Sequence, residues 1–165
     1  MRKNFLSLAI LFFISYGVNA QKGNNQISIG PEVDLPVGTF ADAYKVGFGG
    51  TIKGLYGIGS GGQITLTTGY IAFNGKSGLY ADQKFNIIPI LAGYRQNFKS
   101  LYVEPQLGAA SYKTKVTGFS ESETRFTYGV GVGYSGVVDL GLRFQAHEGA
   151  SLIALRAAYV IKFKK

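Results

Sequence analysis

Cysteine and tryptophan are absent from this 165-residue chain, and methionine and histidine occur once each. Without cysteine there is no disulfide framework and no lipid-modified cysteine, and one histidine leaves no cluster for a zinc site. Charge is sparse too, with Asp, Glu, Lys and Arg making up 16% of residues. Beyond the first twenty residues no apolar run is long enough to cross a bilayer as a helix. What the chain has in quantity is 24 Gly, 12 Phe and 11 Tyr, which suits one all-β domain.

Residues 1–20, MRKNFLSLAILFFISYGVNA, carry Arg2 and Lys3, an apolar core from Phe5 to Ile14, and small residues ending at Ala20. That order reads as a secretory signal peptide, leaving residues 21–165 as the mature domain. Losing Arg2 and Lys3 leaves 15 basic against 9 acidic residues, about +6. An exported chain without a nucleic-acid motif argues against nucleic acid as partner, and the basic excess fits anionic lipid headgroups or a solvated rim.

The stretch from Phe85 to Tyr112 sets the architecture: two long runs separated only by Lys99-Ser100, a hairpin signature. From Leu101 onward Val103, Pro105, Leu107 and Ala109 are apolar, whereas Glu104, Gln106 and Gly108 alternate with them. The same period of two recurs elsewhere and predicts strands over 26–35, 44–58, 63–73, 85–98, 101–112, 125–134, 138–146 and 151–163. Phe126, Tyr128, Val130, Val132 and Tyr134 alternate with Thr127, Gly129, Gly131 and Gly133, a polar face made only of small residues. A soluble barrel or sandwich would put charge on its outward face, so the apolar parity is expected to face lipid and the small and polar parity a narrow interior. Ile71 and Phe73 break the parity of the third strand, predicting a bulge or an exit from the membrane there. The fourth strand is apolar on both faces up to Gly93, leaving its facing open.

The expected fold is therefore all-β, an eight-stranded antiparallel up-and-down transmembrane β-barrel. Connections after even strands are short and those after odd strands longer, except for His147 to Ala150, the asymmetry of outer-membrane barrels. Threading the strands places Tyr56, Tyr94, Phe98, Tyr134 and Phe163 near the lower edge. Tyr44, Tyr70, Phe126 and Phe144 fall near the upper edge, with Tyr159 completing the outward aromatic set of two girdles. A two-residue turn at Lys99-Ser100 places Arg95 opposite Glu104 and Leu91 opposite Gly108. Closing the last hairpin at Glu148-Gly149 places Arg156 opposite Gly141, with Asp139 and Arg143 diagonal to it. Glu32, Asp34 and Lys53 are candidates to extend this interior charge network. Interlocked opposite charges point to a plug; the alternative is a narrow, porin-like path for small solutes.

Phe40, Leu79, Tyr80 and Phe119 sit in the predicted loops 37–43, 74–84 and 113–124, candidates for contact with an extracellular partner. His147 stands beside Glu148 and four residues before Ser151. A lipid-modifying hydrolase would need these groups to converge, and sequence proximity at a hairpin tip does not supply that. The reading is accordingly non-enzymatic, with no catalytic residue, no metal and no cofactor. GFGGTIKG and GVGVG do not open a helix after a strand, as a phosphate loop requires, and read as strand positions.

Through IIPILAGYRQNF, LYVEPQLGAASY, FTYGVGVGY and LIALRAAYVIKF the mature chain resembles the small eight-stranded outer-membrane barrels of the OmpX and OmpA-transmembrane-domain type. That resemblance implies a monomer in the bacterial cell outer membrane, in contact with outer-membrane lipid and lipopolysaccharide and handled by the barrel insertion machinery. It implies a structural, envelope-integrity or adhesion-like role. Such proteins usually end on an aromatic residue, whereas here Lys164 and Lys165 follow Phe163.

Overall fold

The structure is a computed structural model and describes residues 25–59, 61–76, 83–116, 119–147 and 150–163, without the side chains of 115, 116, 119 and 120. The expected signal peptide, Leu79 and Tyr80 lie outside the described residues. In chain order the elements are β1 (Asn25–Val37), α1 (Thr39–Ala43), β2 (Gly47–Gly59), β3 (Gly62–Asn74), β4 (Lys84–Phe98), β5 (Leu101–Val116), β6 (Phe119–Ser135), β7 (Val138–His147) and β8 (Ala150–Phe163). Each strand pairs antiparallel with its sequence neighbours, and β8 pairs with β1 to close the barrel. No helix among the described residues is long and apolar enough to cross a membrane.

The stagger can be followed residue by residue. Interior positions pair from Gln26 to Leu55, Thr65, Gly93, Gln106, Gly129, Gln145 and Leu152, and arrive back on β1 at Pro36, ten residues from the start. Eight strands with that stagger imply a tilt of roughly 43° and a backbone radius of about 8 Å, leaving room inside for side chains and little else. Both described termini share one end with the β2–β3, β4–β5 and β6–β7 turns; this is called the lower end below.

The two faces divide as the alternation requires. Ile29, Phe48, Ile52, Leu66, Tyr70, Ile90, Leu107, Phe126, Val130, Leu142, Leu155 and Tyr159 are exposed on the outside, while Thr51, Thr65, Thr67, Arg95, Glu104, Thr127 and Asp139 are buried inside. From Phe126 to Tyr134 the outward band climbs eight residues of β6, roughly 27 Å along the strand and about 20 Å across the tilt, close to the height of a hydrocarbon core.

Three expectations are corrected. Ile71 and Phe73 mark no bulge, because the β3–β4 register is constant from Gly62↔Gln96 to Asn74↔Lys84. Both point inward, into an apolar cluster with Ile87, Ala110, Tyr112, Leu152 and Phe40 that fills the upper interior. This also settles β4: Ile87 and Leu91 are inside while Ile90 and Tyr94 are outside, so a strand apolar on both faces serves lipid and the upper interior together. Second, residues 113–124 are not simply a loop. β5 and β6 continue as a paired hairpin through Lys113↔Ser122 and Thr114↔Glu121 to Val116↔Phe119. Third, Phe40 is no exposed loop residue. It rides on α1 into the barrel mouth, 8% exposed, with ring centroids 5.5 Å from Phe73 and 5.3 Å from Phe85.

The tight β4–β5 turn puts Lys99 at φ 61°, left-handed backbone that a side chain disfavours. Lys99→Gly is expected to raise stability by about 1 kcal/mol, read as a later urea midpoint of the refolded protein. An unchanged or earlier midpoint would show that the turn carries no strain.

Candidate functional site: a charge-paired interior

Alternation alone decides which charges enter the barrel, since residues two apart share a face. Four acids, Glu32, Asp34, Glu104 and Asp139, and four bases, Lys53, Arg95, Arg143 and Arg156, are buried inside, so the interior is formally neutral. The basic excess of the chain lies elsewhere.

Glu104 on β5 is the hub. Lys53 Nζ donates to both its oxygens at 2.9 Å, Arg95 Nε donates to Oε2 at 2.8 Å, and Thr65 Oγ1 and Gln106 Nε2 donate to Oε1 at 2.8 and 2.5 Å. Arg95, with none of its side chain exposed, spans the interior from Glu104 to a second ion pair with Asp139 and lies 3.6 Å over the Tyr102 ring. Tyr102 in turn donates its hydroxyl to Asp139 at 3.1 Å.

Arg156 joins the halves across the closure. It stands opposite Gly141 and Glu32 in register, donates from Nε to Thr51 Oγ1 at 2.7 Å and approaches Asp139 at 3.6 Å. Arg143 donates to Glu32 at 2.5 Å, and Thr51 donates to the other Glu32 oxygen at 3.3 Å. Asp34 lies near Glu32 and Arg143, and its Oδ1 makes no hydrogen bond among the described residues. Thus all eight charged candidates lie inside, seven of them in ion pairs, and register brackets Arg95 and Glu104 between Gly93↔Gln106 and Gln96↔Val103.

Within this network a cavity of about 20 Å³ is bounded by Glu32, Lys53, Tyr102, Gln106, Arg143 and Arg156. That is room for no more than a single water. Above it the apolar cluster packs into the upper interior: Phe40, Tyr44 and Phe85 lie with centroids 4.9 to 5.3 Å apart, and Phe85 lies 5.8 Å from Tyr112. Tyr112 stacks on His147 at 4.3 Å, and its hydroxyl sits 3.0 Å from His147 Nδ1 and 3.1 Å from Thr127 Oγ1.

Tyr56, Tyr70, Tyr94, Phe98, Phe126, Tyr134, Phe144, Tyr159 and Phe163 are exposed on the outer surface. Tyr44 differs: it is half-buried against Phe40 and Phe85, because the chain turns into the mouth before β2 begins. Phe48 and Tyr128, outward and exposed, join the aromatic surface instead. The sequence reading also missed Tyr102, Thr51, Thr65 and Gln106; Tyr102, Thr51 and Gln106 share strand and parity with a charge it did select, whereas Thr65 lies on β3, where it selected none. Nothing in the sequence around Phe40 announced its burial. Among the described residues no group of three His, Cys, Asp or Glu is placed to hold a metal.

A closed, staggered eight-stranded antiparallel barrel is also the fold of solved small outer-membrane β-barrels. The Yersinia pestis attachment invasion locus protein Ail superposes with a TM-score of 0.60 at 19% identity, over 86% of this chain and 100% of Ail. Neisserial surface protein A gives 0.60 at 17% identity over 84% of this chain and 97% of its own. The N-terminal β-barrel domain of Pseudomonas aeruginosa OprF gives 0.57 at 15% identity over 85% and 100%. No protein-family model and no curated protein sequence matches the chain.

Proposed function

We propose that the protein is a non-enzymatic, integral outer-membrane barrel that acts at the cell surface through its β5–β6 hairpin. The observation that carries this reading is an unpaired strand edge. β6 pairs with β7 only as far as Thr127↔His147 but continues with β5 up to Phe119, so among the described residues no strand pairs with 119–124 on the side away from β5. Open edges offer backbone donors and acceptors to an extended segment of another chain, the geometry of β-strand addition. A recess of about 540 Å³ adjoins this edge, lined by Glu123, Thr124, Arg125, Phe126, Tyr128 and His147.

Charge at the hairpin is mixed. Arg125 binds Glu123 at 2.7 Å and holds its carboxyl below the usual carboxylate range, and Glu121, opposite Thr114, shares their face, while Lys113, opposite Ser122, lies on the other. A polyanion such as the sucrose octasulfate crystallised with Ail is therefore not the ligand class this surface favours. A polypeptide strand is.

Replacing residues 113–122 by Asn-Gly removes the protruding hairpin and leaves the barrel register intact. Cells bearing this variant are expected to lose adherence to immobilised protein surfaces, while the purified variant keeps a compact gel band that shifts on boiling. Retained adherence, or none in the wild type, overturns the proposal. The pore reading is opposed by the small cavity and the Phe40 cluster. In planar bilayers the refolded protein is expected to stay at the lipid baseline; discrete conductance steps would restore that reading.

A further inference from the structure

Seven buried side-chain atoms among the described residues make no hydrogen bond, and three of them belong to residues bounding the cavity of about 20 Å³: Gln106 Oε1, Arg143 Nε and Arg156 Nη1. All three residues are more than nine-tenths buried, at 5%, 7% and 7% exposure. They come from β5, β7 and β8, and Gly131 and Gly141 on the same walls leave the space between them open. Buried polar atoms left in this state call for a partner.

Their chemistry is mixed. Gln106 Nε2 donates to Glu104 at 2.5 Å, so the amide atom left over is Oε1, an acceptor. Arg143 Nε and Arg156 Nη1 can only donate, and the carboxylate nearest Arg156 Nη1, that of Asp139, stands at 3.6 Å, beyond hydrogen-bond reach. A cation in the cavity would face three bases, Lys53, Arg143 and Arg156. A halide could accept from both guanidinium groups but would leave Gln106 Oε1 unpaired and repelled. Water accepts twice and donates twice. It can take both N–H groups, give one proton to Gln106 Oε1 and give the other to Glu32 or Glu104, which also border the cavity.

We propose that the barrel interior binds one ordered water molecule between Gln106, Arg143 and Arg156, a fixed member of the charge network that ties β5, β7 and β8 together. The site concerns the interior alone and does not depend on what the β5–β6 hairpin binds. A single water held by four groups completes the network without opening a path through it.

Two measurements on the refolded chain test it. In a deuterated, nitrogen-labelled sample in neutral detergent, the Arg143 Nε–H is expected to show a rotating-frame Overhauser cross-peak to water. The Arg95 Nε–H, which donates to Glu104 and does not border the cavity, is expected to show none. In crystals grown with bromide as the only halide, the cavity is expected to hold a water-sized density peak within about 3.2 Å of all three atoms, without anomalous signal. Gln106→Leu removes the acceptor and is expected to abolish the Arg143 cross-peak. Gln145→Leu, whose lost amide oxygen is also unpaired but does not border the cavity, is expected to leave it. No cross-peak from wild-type Arg143, one of equal strength from Arg95, an undiminished one in folded Gln106→Leu, or bromide in the cavity overturns the proposal. The wild-type spectra and crystals decide it even where Gln106→Leu fails to give the compact gel band.

Discussion

Glu104→Ala is expected to cost about 3–5 kcal/mol, because it leaves buried cations without their carboxylate. Lys53 loses its ion-pair partner, Arg95 keeps only Asp139, and Thr65 and Gln106 lose their acceptor. The cavity beside Glu104, about 20 Å³, has room for a single water at most and cannot replace these partners. The measurement is urea unfolding of the barrel refolded into phosphatidylcholine vesicles. Charge balance supplies the control. Lys53→Met combined with Glu104→Gln leaves three acids and three bases inside, and is expected to recover more than half of the loss, since a neutral pair of similar volume replaces an ion pair at little net cost. A loss under about 1 kcal/mol for Glu104→Ala would mean that the interior is wet enough to screen its charges.

Gly108→Ala is expected to be comparably damaging for a different reason. Leu91 stands opposite Gly108 in register, and a Cβ at Gly108 would lie 2.1 Å from the Ile90 carbonyl oxygen and 3.0 Å from the Leu91 Cα. Backbone atoms of a paired strand in a closed barrel cannot step aside without disturbing the next pair. The expected cost is roughly 3 kcal/mol or more, above the usual range for an overpacked side chain, or outright loss of the compact gel band. Gly131→Ala makes the comparison, for its nearest neighbour would be the Leu142 carbonyl oxygen at 3.6 Å, an ordinary contact. It is expected to fold with a change within about 0.5 kcal/mol. Similar behaviour of the two variants would show that glycine serves these strands through composition rather than through close approach at one position.

Much of the fold was legible because a strand writes its two faces into alternate residues. Phe126 to Tyr134 separated outside from inside without ambiguity, and the Lys99-Ser100 turn fixed the register that sets Leu91 against Gly108. The charged interior followed from parity: Arg95 and Glu104 had to share a face, and so did Asp139 and Arg143. Parity failed where both faces are apolar. Ile71, Phe73 and Ile87 look lipid-facing by composition, and only the filled mouth of the barrel shows that they pack against one another.

The sequence by itself determined the number of strands, which side of each but β4 meets the exterior, and the β4–β5 and β7–β8 registers, since all three depend on local periodicity and turn length. The tertiary structure decided what required distant segments to meet. Closure by β8 on β1 brings Arg156 to Glu32 and Asp139, joining into one network charges more than a hundred residues apart. Phe40 enters the mouth because a short helix after β1 is carried over a chamber lined from β3, β4, β5 and β8, a neighbourhood that no alternation encodes. Among the described residues β7 pairs with β6 only up to His147 while β5 runs on to Val116, a difference in strand length that becomes a surface only when the three strands lie side by side.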